Sequence, residues 1–126
     1  MSLQAPLAEV LGLGSAKEGA GHWWAQRSTA IAMLPLSLWF TYSAIGLPHG
    51  DYESIAAWIA APFNAIGLIL LVIATVYHSS LGLQVVIEDY LHGGKGFVAM
   101  VVTKLTHFAL GVAGIYAVVV ISVGAN

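Results

Sequence analysis

The residues of this sequence able to do chemistry are concentrated in one stretch, YHSSLGLQVVIEDYLHGGKG, from Tyr77 to Gly96. It continues the apolar run FNAIGLILLVIATVY, which holds no Asp, Glu, His, Lys or Arg. An imidazole in such surroundings, that of His78, needs a partner on at least one ring nitrogen. A neighbouring helix can supply a hydrogen bond, or a metal can take the lone pair, and haem iron is one metal that accepts it. Gly82, one helical turn on, leaves a notch on the same face where a flat macrocycle can lie. Asp89 follows His78 by eleven residues, and eleven helical steps return to within about 20° of the starting direction, about 16 Å away. Tyr90 is next to that acid. A phenol beside a carboxylate can donate a hydrogen bond to a quinone carbonyl while the acid orients it or helps deliver protons. On spacing alone, the plainer readings are an interfacial charge for Asp89, a belt tyrosine for Tyr90 and a helix-to-helix hydrogen bond for His78.

Other polar residues carry weaker signals. Arg27 precedes a long apolar run, where a guanidinium can pair with an anionic group such as a haem propionate or with lipid phosphate. His22, five residues earlier, can assist Arg27 or lie in the interface. His107 follows Lys104 by three residues; a snorkelling lysine sets it only about one turn deep, which makes it a poorer ligand candidate than His78. His49, Glu88 and His92 read as solvated, and no nucleophile–base pairing, phosphate loop or HExxH motif occurs.

The elements that must position these groups follow from the charge distribution. Of 126 residues, 59% are hydrophobic and 8% charged, with a mean hydropathy of +0.86. Four Lys and Arg with six Asp and Glu are too few to cover a soluble domain. That composition excludes a disordered chain, a coiled coil and a nucleic-acid binder. The absence of cysteine excludes disulfides, iron–sulfur ligation by this chain and thiolate zinc sites. Uncharged stretches at 28–50, 54–87 and 105–126 hold three spanning helices, at about 28–47, about 62–86 and about 99–122. Continuous apolar runs exclude a β-barrel. The segment SIAAWIAAPF is read as a short interfacial helix ended or kinked by Pro62 before the second span. The expectation is an all-α membrane protein, a single membrane-anchor domain over residues 1–126.

All four positive charges, Lys17, Arg27, Lys95 and Lys104, flank one side of this arrangement, whereas the connection PHGDYES has none. The positive-inside rule then sets the amino terminus and second connection in the cytoplasm. Trp23 and Trp24 on one side, with Tyr52 and Trp58 on the other, fit aromatic belts. With the interface near Glu88, His78 is ten residues inward, about 15 Å and close to mid-bilayer. The first 27 residues have neither a secretory-signal pattern nor the acid-poor, Arg-rich composition of a transit peptide. A bacterial inner membrane is therefore favoured over a mitochondrial one. Alanines recurring every fourth residue, Ala109–Ala113–Ala117 and Ala57–Ala61–Ala65, offer close helix approach.

The run H-x3-G-x-Q-V-x3-D-Y, comprising His78, Gly82, Gln84, Val85, Asp89 and Tyr90, resembles the signature of the small hydrophobic membrane-anchor subunits of succinate dehydrogenase, respiratory complex II. His22-Trp23-Trp24 followed by Gln26-Arg27-Ser28-Thr29-Ala30 is similar to the start of that family's first helix, and the resemblance covers essentially the whole chain. It implies a non-catalytic subunit that attaches a flavoprotein and an iron–sulfur subunit to the bilayer. With a second anchor protein, the cytochrome b subunit, it would share one b-type haem and contribute to a ubiquinone site. By this resemblance His78 is one haem axial ligand and the cytochrome b subunit supplies the other. Tyr90 hydrogen-bonds ubiquinone with Asp89 beside it, and Arg27, less surely His22, lies near the haem propionates. A different class is a small transporter or proton-relay protein using His78 and Asp89; the outer half of that helix supplies no further group for it. A third is a purely structural adaptor, in which His78 only bonds a neighbouring helix.

Overall fold

The computed structural model describes residues 16–48 and 51–124. Four helices account for nearly all of them: α1 (Ala16–Gly46), α2 (Tyr52–Ala60), α3 (Pro62–Tyr90) and α4 (Gly93–Gly124). Three are long and apolar enough to cross a bilayer, over Gly19–Gly46, Pro62–Tyr90 and Gly93–Gly124. They begin or end outside the expected spans because a nucleated helix extends as far as its backbone allows. Elongation costs little per residue once the apolar part has formed. At 29 residues, α3 is about 43 Å long against a ~30 Å hydrocarbon core, so its ends reach the headgroup layers.

A separate short helix, α2, precedes the second span, and Pro62 divides the two. Proline pushes the preceding residue out of the helical region, and Ala61 adopts φ −60°, ψ 126°. Pro62 then occupies the first turn of α3, where its missing N–H costs nothing. Asn64 donates from Nδ2 to the Trp58 carbonyl at 2.7 Å, satisfying one of the carbonyls orphaned at the end of α2. Between α3 and α4 the chain reverses through Leu91 and His92. This needs Gly93 at φ +65°, and Gly96, whose added Cβ would collide with the Leu91 carbonyl.

Helix α3 is the hub, packed against both α1 and α4, while α2 rests on α3 and α4. Among the described residues the backbones of α1 and α4 do not approach each other closely. Both contacts with α3 are antiparallel and use glycine as a socket. In the first, Trp39 of α1 sits over Gly67, where an added Cβ would lie 2.6 Å from its Cη2 atom. The indole also stacks on Trp58, 5.7 Å between centroids, and meets Phe63 edge-on at 6.0 Å. In the second, Gly114 receives Val72, at 2.9 Å from such a Cβ, and Gly111 receives Val76 at 3.6 Å. The stripe Ala109–Ala113–Ala117 does not make this contact. It lies on the exposed side of α4, and the glycines one or two residues away face α3 instead. Of the described apolar side chains only Ala56, Ala74, Leu81, Ile87 and Val118 are buried. Large ones such as Ile31, Phe63, Phe108 and Val123 stand about three-quarters exposed, a distribution that only lipid or partner chains can cover.

Candidate functional site

The polar residues of α1 and α3 meet in the seam between these helices. Half-buried positions on α1 recur at 22, 25, 26, 29, 33 and 36, the three- and four-residue spacing of one helical face. That face turns His22, Gln26 and Thr29 toward α3. Opposite them His78 presents Nδ1 to the Thr29 hydroxyl at 3.0 Å and Nε2 to the Gln26 side-chain amide nitrogen at 3.3 Å. Gly82, one turn along α3, comes against the same glutamine, with 3.7 Å from its hypothetical Cβ to Gln26 Nε2.

The hydrogen bonds around Thr29 favour one tautomer of His78. Thr29 Oγ1 lies 2.8 Å from the Ala25 carbonyl and 3.0 Å from that of Gln26. Carbonyls only accept, so the one hydroxyl proton of Thr29 is committed to its own helix, a common arrangement for threonine. Toward His78 the hydroxyl oxygen can then only accept. That arrangement is matched by the imidazole tautomer with its proton on Nδ1 and its lone pair on Nε2. Gln26 donates to that lone pair across a long 3.3 Å contact. Two polar atoms of the seam, His22 Nε2 and Gln26 Oε1, are buried without a hydrogen-bond partner. Such atoms are costly in apolar surroundings.

Arg27 lies outside the seam. It is exposed, and its guanidinium sits 5.2 Å from the Trp23 ring centroid, one turn back along α1. Because Thr29 is level with His78, the backbone of Arg27 is only about 3 Å in rise from that level. Its side chain runs back along α1 toward Trp23. Asp89 and Tyr90 stand exposed at the end of α3, Tyr90 at 79%. The structure brings His78, Gln26, Thr29 and Gly82 together, and leaves Asp89 and Tyr90 two to three turns from them.

The second histidine near the bilayer interior is fully engaged. Nδ1 of His107 donates to the Thr103 carbonyl at 2.8 Å, and Nε2 accepts from the Ser79 hydroxyl at 3.1 Å. Ser79 and His78 are neighbours in sequence and so point to different helices: Ser79 to α4, His78 to α1. Glu88 accepts a hydrogen bond from Gln84 at 2.8 Å. His49 and everything before Ala16 lie outside the described residues. Sequence reasoning missed the roles of Gln26 and Thr29, although His22, Gln26 and Thr29 already stand on one face at spacings of four and three.

Comparison with known proteins bears on what this seam serves. The model of the succinate dehydrogenase/fumarate reductase transmembrane subunit family matches residues 1–121. A succinate dehydrogenase hydrophobic membrane anchor subunit of Rickettsia bellii is 40% identical over 73% of this chain and 74% of its own. The protein of the same description from Rickettsia conorii is 37% identical over 70% and 71%. That of Paracoccus denitrificans is 34% identical over 95% and 93%. No solved structure matches the chain.

Proposed function

The chain belongs to the succinate dehydrogenase/fumarate reductase transmembrane subunit family, and from that premise we propose how it serves its complex. It is a membrane-anchor subunit of succinate dehydrogenase, a multi-pass protein of the bacterial inner membrane. In the proposed reading it holds the flavoprotein and iron–sulfur subunits at the cytoplasmic face, the side of the amino terminus and of the α3–α4 connection. With the cytochrome b subunit it shares a b-type haem, and its α3 end contributes to a ubiquinone site.

One observation supports the haem assignment: Nδ1 of His78 meets the hydroxyl of Thr29, which also bonds the backbone of its own helix, an arrangement suited to the tautomer that leaves Nε2 with its lone pair. That is the donor atom an axial ligand needs, and the Nδ1–H already has an acceptor behind it, as metal-bound histidines nearly always do. His107 is held in a similar way, Nδ1 on the Thr103 carbonyl and Nε2 on the Ser79 hydroxyl, but on the α4 side of α3, away from the seam that gathers Gln26, Thr29 and Gly82. The seam and the family signature together favour His78 over His107, and a bis-histidine site would draw its second ligand from the partner anchor. Gln26, which covers Nε2 through the long 3.3 Å contact, must turn aside for iron. A haem held there would supply a one-electron carrier within the bilayer. Arg27, near the same depth, offers a guanidinium for a propionate, with His22 on the adjoining face. At the far end of α3 Tyr90 donates to a quinone carbonyl, Asp89 orienting it and helping with protons.

The proton-relay alternative gains nothing: from Phe63 to Val76, α3 carries no Asp, Glu, His, Lys or Arg. The test is a reduced-minus-oxidised spectrum of the complex purified through this chain in mild detergent. Succinate-reducible b-type haem is expected in the wild type and a lost or shifted band in His78→Ala. An unchanged band in the variant removes His78 as a ligand.

A further inference from the structure

The hydroxyl of Thr29 meets His78 across the seam, and its own proton is occupied by the backbone of α1. We propose that Thr29 is a positioning residue for His78, an obligate hydrogen-bond acceptor that fixes the Nδ1–H tautomer, aims Nε2 away from the Thr29 anchor and raises the basicity of that lone pair. The proposal rests on His78 being an axial ligand and assigns to this chain a second residue that sets the properties of the site.

Three features make the arrangement directional. First, the oxygen is anchored, since hydrogen bonds to the Ala25 carbonyl at 2.8 Å and the Gln26 carbonyl at 3.0 Å lock the threonine rotamer, so it does not follow the ring if the ring turns. Second, the polarity is one-way. A hydroxyl whose proton is engaged presents only lone pairs, and the chain Nδ1–H to Oγ1 to backbone carbonyl polarises in one sense. Third, the other ring nitrogen is opposed by a long, rotatable side chain, the Gln26 amide at 3.3 Å. The fixed side of the imidazole therefore faces Thr29 and the displaceable side faces the ligand position. An acceptor on Nδ1–H gives the imidazole partial imidazolate character, which favours the ferric over the ferrous state and lowers the midpoint potential. Loss of such an outer partner weakens metal affinity about 10- to 100-fold in known sites.

The experiment uses the whole complex carrying Thr29→Val, Thr29→Ser or His78→Ala, with haem content, redox titration of the b-band and succinate–dye activity measured on each. Thr29→Val keeps the branched shape and deletes the acceptor. Its haem is expected to dissociate about 10- to 100-fold more readily, and its midpoint potential to rise, with succinate–dye activity unchanged. Thr29→Ser retains the acceptor and is expected to restore both haem properties. If Thr29→Val does not assemble, Thr29→Ala deletes the same acceptor and carries the same expectation. Wild-type retention and potential in the acceptor-deleted variants, with haem lost in His78→Ala, overturns the role of Thr29 and leaves His78 as ligand. A Thr29→Ser that behaves like Thr29→Val also overturns it, since bulk and not the hydroxyl is then what matters. Haem unchanged in His78→Ala removes the underlying reading instead.

Discussion

Two glycines on the α1-facing side of α3, Gly67 and Gly82, should respond oppositely to the same substitution. In a helix interior, alanine is favoured over glycine by about 0.5–1 kcal/mol, and both variants start with that gain. At Gly82 the new methyl carbon meets Gln26 at 3.7 Å, ordinary van der Waals contact, so Gly82→Ala keeps the gain. At Gly67 it lies 2.6 Å from Cη2 and 2.9 Å from Cζ3 of Trp39. The indole cannot move freely, being held by Trp58 on its face and Phe63 at its edge. Overpacking of this kind costs about 1–3 kcal/mol, and disturbing the aromatic pairs about 0.5–1.5 kcal/mol more. Gly67→Ala should therefore destabilise by about 1–3 kcal/mol net, detected by tryptophan fluorescence during thermal unfolding of the detergent-purified complex. Trp39→Phe in that background removes the colliding ring and should recover part of the loss. Equal stability of the two alanine variants would refute the reasoning, because the Trp39 socket would then not be a constraint.

At the quinone end, Tyr90→Phe is expected to impair ubiquinone reduction while leaving succinate oxidation with an artificial dye intact; parallel loss in both assays would point to defective assembly. His107→Gln should leave the b-type spectrum at its wild-type position, because His107 bonds Ser79 between α3 and α4, away from the seam between α1 and α3 that holds His78. A displaced or missing band in that variant would make His107 a ligand candidate after all.

The spans were legible because charge is excluded from a hydrocarbon core, so the gaps between Arg27, Asp51, Glu88 and Lys104 mark them directly. Pro62 was legible as a boundary because its constraint is local. The start of α1 was not, since AKEGAGHWW is polar and glycine-rich, and its helicity comes by extension from the apolar part beyond it. The His78 face was visible from periodicity alone. Its partners were not, because which residue of α1 lies beside His78 depends on the register of two antiparallel helices. That register is fixed where Trp39 seats on Gly67 and stacks against Trp58, a contact between three elements that local spacing does not report. The alanine stripe of α4 misled for a related reason. Small residues permit close approach wherever they occur, and only the mating surface decides which of them is used.

The lack of close backbone approach between α1 and α4 among the described residues has a consequence for biogenesis. A ribosome makes α1, α2 and α3 before α4, and the side chains hydrogen-bonded to His78, Gln26 and Thr29, belong to α1. Once α3 has entered the bilayer the seam can close, with the whole of α4 still to be synthesised. Helix α4 then docks on the opposite flank through Gly111 and Gly114, adding its own His107–Ser79 link, without reopening what has formed. The order of synthesis thus matches the order in which the molecule can be put together, and the imidazole that most needs a partner is given one first.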